Sequence, residues 1–242
     1  MALALALIAL AGCRQQETDS DRPASSREFP RAYRPVSKAG DTQFSTEVQR
    51  DQQGEARTVM DLARITQGMR VADLGAGEGY YTVRLSPRVG ATGRVVAEDI
   101  DREAMGRLSN RVEKERIANV YAQTGAVDDP KLPTDGTFER IFMVHMYHEV
   151  SEPYSFLWRL RPALKPGGKV IVVDLDRATD QHGIPPALLF CEFGAVGFRL
   201  VQFVRKPEIT GFYAEFEAAG ARPEPSALKP CKLDAGGTAA QR

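Results

Sequence analysis

A chain of 242 residues has room for one domain of ordinary size with a full core, and it requires no second domain. Its 32 Lys and Arg are matched by 32 Asp and Glu, so no global basic field is present to hold a phosphate backbone, and aromatic and basic residues do not interleave as they do in single-strand binders. These features argue against nucleic acid as a partner, and no internal repeat suggests a solenoid.

In chain order, the first element is the apolar stretch from Met1 to Cys13, too short to cross a bilayer as a helix and read as an export signal. Small residues precede the cysteine, and Leu10-Ala11-Gly12-Cys13 is similar to the bacterial lipobox. That resemblance implies acylation of Cys13, anchoring to a membrane and residence on the periplasmic face of a bacterial envelope. No Lys or Arg precedes the apolar run. A chance apolar N-terminus on a cytoplasmic protein is therefore the alternative. Residues 14–43 are polar and rich in Pro, Ser and Arg, the composition of a disordered tether.

A domain is expected over residues 44–222. Glu47 to Ile65 has the pattern of an amphipathic helix. It leads into the first strand, Arg70 to Leu74, and strands and helices then alternate. The further strands are expected at Gly93 to Asp99, Asn119 to Gln123, Arg140 to His145 and Lys169 to Asp174. The helices fall at Tyr80 to Val89, Arg102 to Arg116, Glu152 to Leu164 and Pro186 to Ala195. Such alternation implies right-handed crossovers and a parallel sheet. Two last strands come after these, over residues 198–204 and 212–217. Residues 223–242 are expected to be an irregular tail.

Chemistry concentrates at the strand ends. Asp73-Leu74-Gly75-Ala76-Gly77-Glu78-Gly79 joins a buried-strand pattern to a glycine-rich turn at the mouth of a helix. Glycines there let the backbone turn sharply and let a ligand approach closer than a Cβ would permit. Dinucleotide-binding turns space their glycines G-x-G-x-x-G and leave the helix N-terminus to a pyrophosphate; here the spacing is G-x-G-x-G. Asp73 would repel a diphosphate but suits an ammonium and a sulfonium, which points to S-adenosylmethionine.

With four further elements, the chain resembles the class I S-adenosylmethionine-dependent methyltransferases. These are Gly93 through Asp101, Gly125 through Pro133, Phe138 through Val150, and Leu164 through Asp174. The resemblance implies an α/β fold with a Rossmann-like seven-stranded methyltransferase sheet. Its order would be 3-2-1-4-5-7-6, six strands parallel and one antiparallel, with helices on both faces. It implies S-adenosylmethionine as cofactor, held by Asp73, Gly75, Ala76, Gly77 and Gly79 of the turn. Asp99 would take the ribose hydroxyls and Ile100 would lie against adenine, with Glu98 and Asp101 as lesser readings. Ala126, Asp128 (or Asp129) and Val144 would complete the pocket.

Methyl transfer from a sulfonium needs positioning and, for many nucleophiles, a base. His145 and His148 are two of the three histidines and fall where the fourth strand ends. On a helical turn their i, i+3 spacing would put them on one face, while on a strand they would point oppositely. Tyr147, Glu149 and His182 are further candidates. The expected acceptor is a small or lipophilic molecule. Two other readings stay open: a nicotinamide-dependent oxidoreductase, and an anchored protein that binds the cofactor without turnover. No metal-ligand set is read from the sequence. Cys191 and Cys231 can bridge a helix to the tail in an oxidising compartment and would stay thiols in a reducing one.

Overall fold

The computed structural model describes residues 19–37, 46–234, 237 and 239–241; the expected signal segment with Cys13 lies outside them. Seven strands form one sheet: β1 (Arg70–Leu74), β2 (Arg94–Asp99), β3 (Val120–Thr124), β4 (Phe138–Val144), β5 (Leu164–Asp174), β6 (Phe198–Val204) and β7 (Phe212–Ala218). Their order is β3-β2-β1-β4-β5-β7-β6. β1 to β5 pair in parallel, while β7 runs antiparallel to both β5 and β6. This is the expected Rossmann-like methyltransferase sheet.

The central strands are apolar without alternation because both faces are covered. Successive side chains point to opposite sides, so Ile141 and Met143 join Leu157, Leu160, Leu189 and Phe193 in one core cluster. Phe142 instead joins Val59, Leu85 and Val89 in the other. Full burial of each such side chain contributes about 1.5–3 kcal/mol. The first cluster belongs to helices α5 (Pro153–Leu160) and α6 (Pro186–Ala195), the second to α2 (Glu55–Leu62) and α3 (Tyr80–Val89). Helix α4 (Arg102–Lys114) covers Ala97 with Met105 and Leu108.

Three expectations change. The single helix expected from Glu47 to Ile65 is broken by Gly54, at φ 80°, which ends α1 (Glu47–Gln53) and precedes α2. A left-handed residue is the ordinary way to stop a helix, and here it turns Glu55 into the interior.

Residues 19–37, expected as part of a loose tether, lie folded on the domain. Arg22 makes a two-pronged ion pair with Glu152, at 2.8 and 2.7 Å, and Phe29 enters the core edge-on to Trp158. Arg34 pairs with buried Glu192 at 2.9 Å and donates to the carbonyls of His148 and Val150. Composition misleads here because the partners of these arginines lie more than a hundred positions away.

The tail is likewise more ordered than expected. β8 (Cys231–Leu233) pairs antiparallel with β9 (Ala239–Gln241), and Cys231 is buried and disulfide-bonded to Cys191 on α6. Among the described residues no helix is long and apolar enough to cross a membrane.

Candidate functional site

The C-terminal ends of β1, β2 and β4 open onto a cavity of about 680 Å³, within the range of small-ligand sites. Gly75, Ala76, Gly77, Asp99, Ile100, Ala126, Val144 and His145, all expected at the site, line it. Of the glycines, Gly77 shows its purpose most plainly. Its φ is 54°, and a Cβ built there meets no atom within 4 Å, so any side chain would stand in the space left for a ligand. Gly79 serves another purpose. At φ 88° it starts α3, and a Cβ would strike Leu108 of α4.

Asp99 ends β2 and is held from two sides. Gly77 N–H donates to Oδ2 and Asp101 N–H to Oδ1, each at 2.9 Å. A carboxylate has about four acceptor positions; two are taken by this clasp, and others remain for hydroxyls of a ligand. Ile100, 46% exposed, and Val127, 41% exposed, are aliphatic side chains on the same cavity wall. They offer a surface for a flat base.

Glu98 lines the cavity too, as a residue that sequence reasoning ranks low. It is buried, and burial together with the charges of Asp99 and Asp129 pushes its carboxyl well above the usual range. Both effects disfavour the charged carboxylate, and its Oε1 has no hydrogen-bond partner. A ligand polar atom would satisfy that orphan.

Three expected cofactor contacts are absent from the cavity wall. Gly79 serves the helix start. Asp73 is buried beneath the turn and accepts a 2.6 Å hydrogen bond from Thr82; burial raises it to about 6. There it ties β1 to α3. Asp128 is turned away and accepts from Arg159 at 2.8 Å and from Ser25 and Ser26. The serines belong to the N-terminal strap, which no local pattern could have announced.

The two histidines separate. His145 comes directly after β4 at φ 53°, an uncommon conformation for a side-chain-bearing residue, fixed by its N–H donating to Val173 O at 2.7 Å. Its Nε2 lies 3.2 Å from Glu55 Oε2 on α2. Burial raises the Glu55 carboxyl, but the His145 contact and the charges of His145 and Arg50 outweigh it and hold the group down at about 2. Tyr81 O–H and Arg50 both donate to Glu55 Oε1. His148 instead sits in a 3-10 turn, Tyr147–Glu149, with its ring buried and its Nδ1 2.9 Å from Asp174 Oδ1. The two rings do not share a helical face, because residue 145 is left-handed and the turn begins only after it. Tyr147 is also withdrawn, donating to Glu192 at 2.7 Å, while Glu149 reaches the cavity.

A parallel sheet closed by one antiparallel strand, with a glycine turn facing an acid at the end of the second strand, defines a methyltransferase-type α/β fold. Comparison with known proteins agrees. Residues 71–168 match the family model described as a methyltransferase domain. The ubiquinone/menaquinone biosynthesis C-methyltransferase UbiE of Methylococcus capsulatus is 31% identical over 153 residues, covering 62% of this chain and 58% of that protein. The enzyme of the same name from Hydrogenovibrio crunogenus is 29% identical over 181 residues, 74% of this chain and 70% of the relative. The chain thus spans about half the length of the curated relatives it matches first, 58% and 48%. A solved SAM-dependent methyltransferase from Aquifex aeolicus shares the fold, with a TM-score of 0.58 at 24% identity over 72% of this chain and 98% of its own.

Proposed function

We propose that this protein transfers a methyl group from S-adenosylmethionine to a small, lipophilic acceptor, and that residues 44–222 form the catalytic domain. The observation that carries the reading is Asp99, a carboxylate clasped by two backbone N–H groups at the mouth of the cavity, beside a position where a Cβ would fill the ligand's space. That set fits a nucleoside: Asp99 for the ribose hydroxyls, Ile100 and Val127 for the base, Glu98 for a polar edge. The cofactor, when bound, supplies an activated methyl on sulfur. What remains for the chain is to orient the acceptor, exclude water and take up a proton. Met146, Val150 and Phe156 give the cavity an apolar wall next to His145. His145 is the proton acceptor in this reading, because it lines the cavity and Glu55 holds its ring in place. The quinone-biosynthesis relatives named above make a hydroquinone a reasonable first acceptor to test.

We further infer that the protein is exported and lipid-anchored through Cys13. The support is the apolar run ending in Leu10-Ala11-Gly12-Cys13, together with the Cys191–Cys231 pair, a bond that persists in oxidising compartments.

Calorimetry with S-adenosylmethionine and with NADH on the same sample tests the cofactor: one S-adenosylmethionine per chain and no NADH is expected, and the reverse would favour an oxidoreductase. Stoichiometric cofactor binding with no methylation of any hydroquinone tried would favour a binding protein without turnover. Mass spectrometry of the native N-terminus tests the anchor, since an intact Met1 in a cytosolic fraction would remove it.

A further inference from the structure

We propose that His148, Glu149 and His182 form a binding site for one divalent first-row transition-metal ion, beyond the end of β4 on the side of the cavity that Glu149 lines. One ligand atom from each of the three side chains lies within 4.8 Å of the others. This is spacing that an ion at ordinary nitrogen and oxygen bond lengths can bridge after a small inward movement.

Three further observations support the site. The first is the state of the ring nitrogens. His148 Nε2 and His182 Nδ1 are buried atoms with no hydrogen-bond partner, although buried polar atoms are nearly always paired. The His148 side chain is 1% exposed, and its Nε2 points toward Glu149, 3.9 Å from Oε1.

The second is the partner on the far side of the ring. Asp174 lies within 2.9 and 3.0 Å of His148 Nδ1, and is itself oriented by the N–H groups of Leu175 and His148. A proton on Nδ1 shared with a carboxylate leaves Nε2 as the lone-pair nitrogen. Carboxylates do this for metal-bound histidines, fixing the tautomer and strengthening the ligand.

The third is the backbone of His182, which holds φ at 53°. Its N–H is caught by Ser37 Oγ at 2.9 Å, and Ser37 in turn donates to Thr179 O at 2.7 Å. A strained conformation kept by a dedicated anchor is the sort of feature found at working sites. Without an ion the two rings still pack edge to face, 5.7 Å apart, but that packing does not require both nitrogens to go unpaired.

Two imidazoles and one carboxylate select the ion. The set suits Zn²⁺, Fe²⁺, Co²⁺ or Mn²⁺ better than the all-oxygen cations Mg²⁺ and Ca²⁺ or the thiolate-seeking Cu⁺. Three protein ligands leave positions for an exogenous one. Glu149 is shared with the cavity wall, so an oxygen of the methyl acceptor is the natural occupant. That role, unlike the site, rests on reading the cavity as a methyl-transfer site.

The test uses untagged full-length protein freed of metal by chelation and dialysis, titrated with Co²⁺ and Zn²⁺. One Co²⁺ per chain, with visible absorption bands bleached by Zn²⁺, is expected. His182→Ala, a change in a half-buried loop, should weaken binding by about 100-fold or more. Asp174→Asn should weaken it about 10- to 100-fold through the His148 ring. Glu149→Gln serves as the second ligand variant, with circular dichroism confirming the fold of each. Failure to bind a stoichiometric ion, or affinity unchanged from the parent in both His182→Ala and Glu149→Gln, overturns the site. S-adenosylmethionine is titrated into the same samples. Loss of cofactor binding with the metal retained would count against the proposed function alone, and the converse against this site alone.

Discussion

Asp99 and Asp174 occupy equivalent places, each the last residue of a parallel strand where open α/β sheets present their ligand sites, yet the molecule uses them differently. Asp99 is held by two backbone N–H groups and keeps part of its surface open to the cavity. Asp174 is fully buried and holds a histidine ring whose other nitrogen points away from it. A carboxylate fixed by the main chain can meet a ligand itself. One fixed against an imidazole acts through that ring. The difference lies in the segment after each strand: β2 runs into a helix capped by Asp101, whereas β5 runs into a loop that doubles back through a strained His182.

The harshest way to break the Asp99 side is Gly77→Val. No atom lies within 4 Å of the new Cβ, so the fold should survive, with a penalty of about 1–2 kcal/mol for the left-handed backbone. Binding of S-adenosylmethionine should disappear in calorimetry while the circular dichroism spectrum is kept; undiminished binding would remove the cofactor site from this turn. Next comes His145→Ala. As the proton acceptor its loss should lower kcat by about 10² to 10⁴ while leaving cofactor affinity near normal. An equal fall in affinity and turnover would make it a bracing residue, like Asp73.

The sheet order, the glycine turn and Asp99 are all legible in the sequence, because each depends on short-range pattern: apolar runs, glycines at fixed spacing, an acid closing a strand. Asp73 and Asp128, expected at the site, stand off the cavity wall for one shared reason. Residue type shows a carboxylate near the site but not its direction, and direction is set by Thr82 in one case and by Ser25, Ser26 and Arg159 in the other. Pairings such as Arg22 with Glu152 and Arg34 with Glu192 carry no local signature, so the N-terminal strap has the composition of a tether. The meeting of His148 with His182 is hidden likewise, since α5, β5 and the loop after it lie between them in the chain.

A milder pair of substitutions sharpens the comparison directly. Asp99→Asn places an amide N–H₂ against one of two backbone donors, and should weaken S-adenosylmethionine binding by about 1.5–3 kcal/mol, the range for losing a charged acceptor. Asp174→Asn should leave that affinity within about twofold, since the residue does not line the cavity. If both variants lost cofactor equally, the two strand ends would not be doing separate jobs.

The remaining test concerns how His145 is held, and it is read from acid stability. The Glu55 carboxyl is lowered from 4.5 to about 2 in the folded protein, with burial opposing the shift and His145 and Arg50 overcoming it. A carboxylate lowered on folding adds stability that is fully present above its unfolded value and is lost as pH falls through the folded one. Glu55→Gln should therefore be less stable than the parent by up to about 3 kcal/mol at pH 7, less whatever the hydrogen bonds kept by the amide restore. The gap should stay level down to about pH 5 and close between 4.5 and 2, where the parent carboxylate itself becomes neutral. Urea unfolding of both proteins across that range measures it. A gap that did not change with pH would mean that Glu55 braces His145 through shape and hydrogen bonding alone.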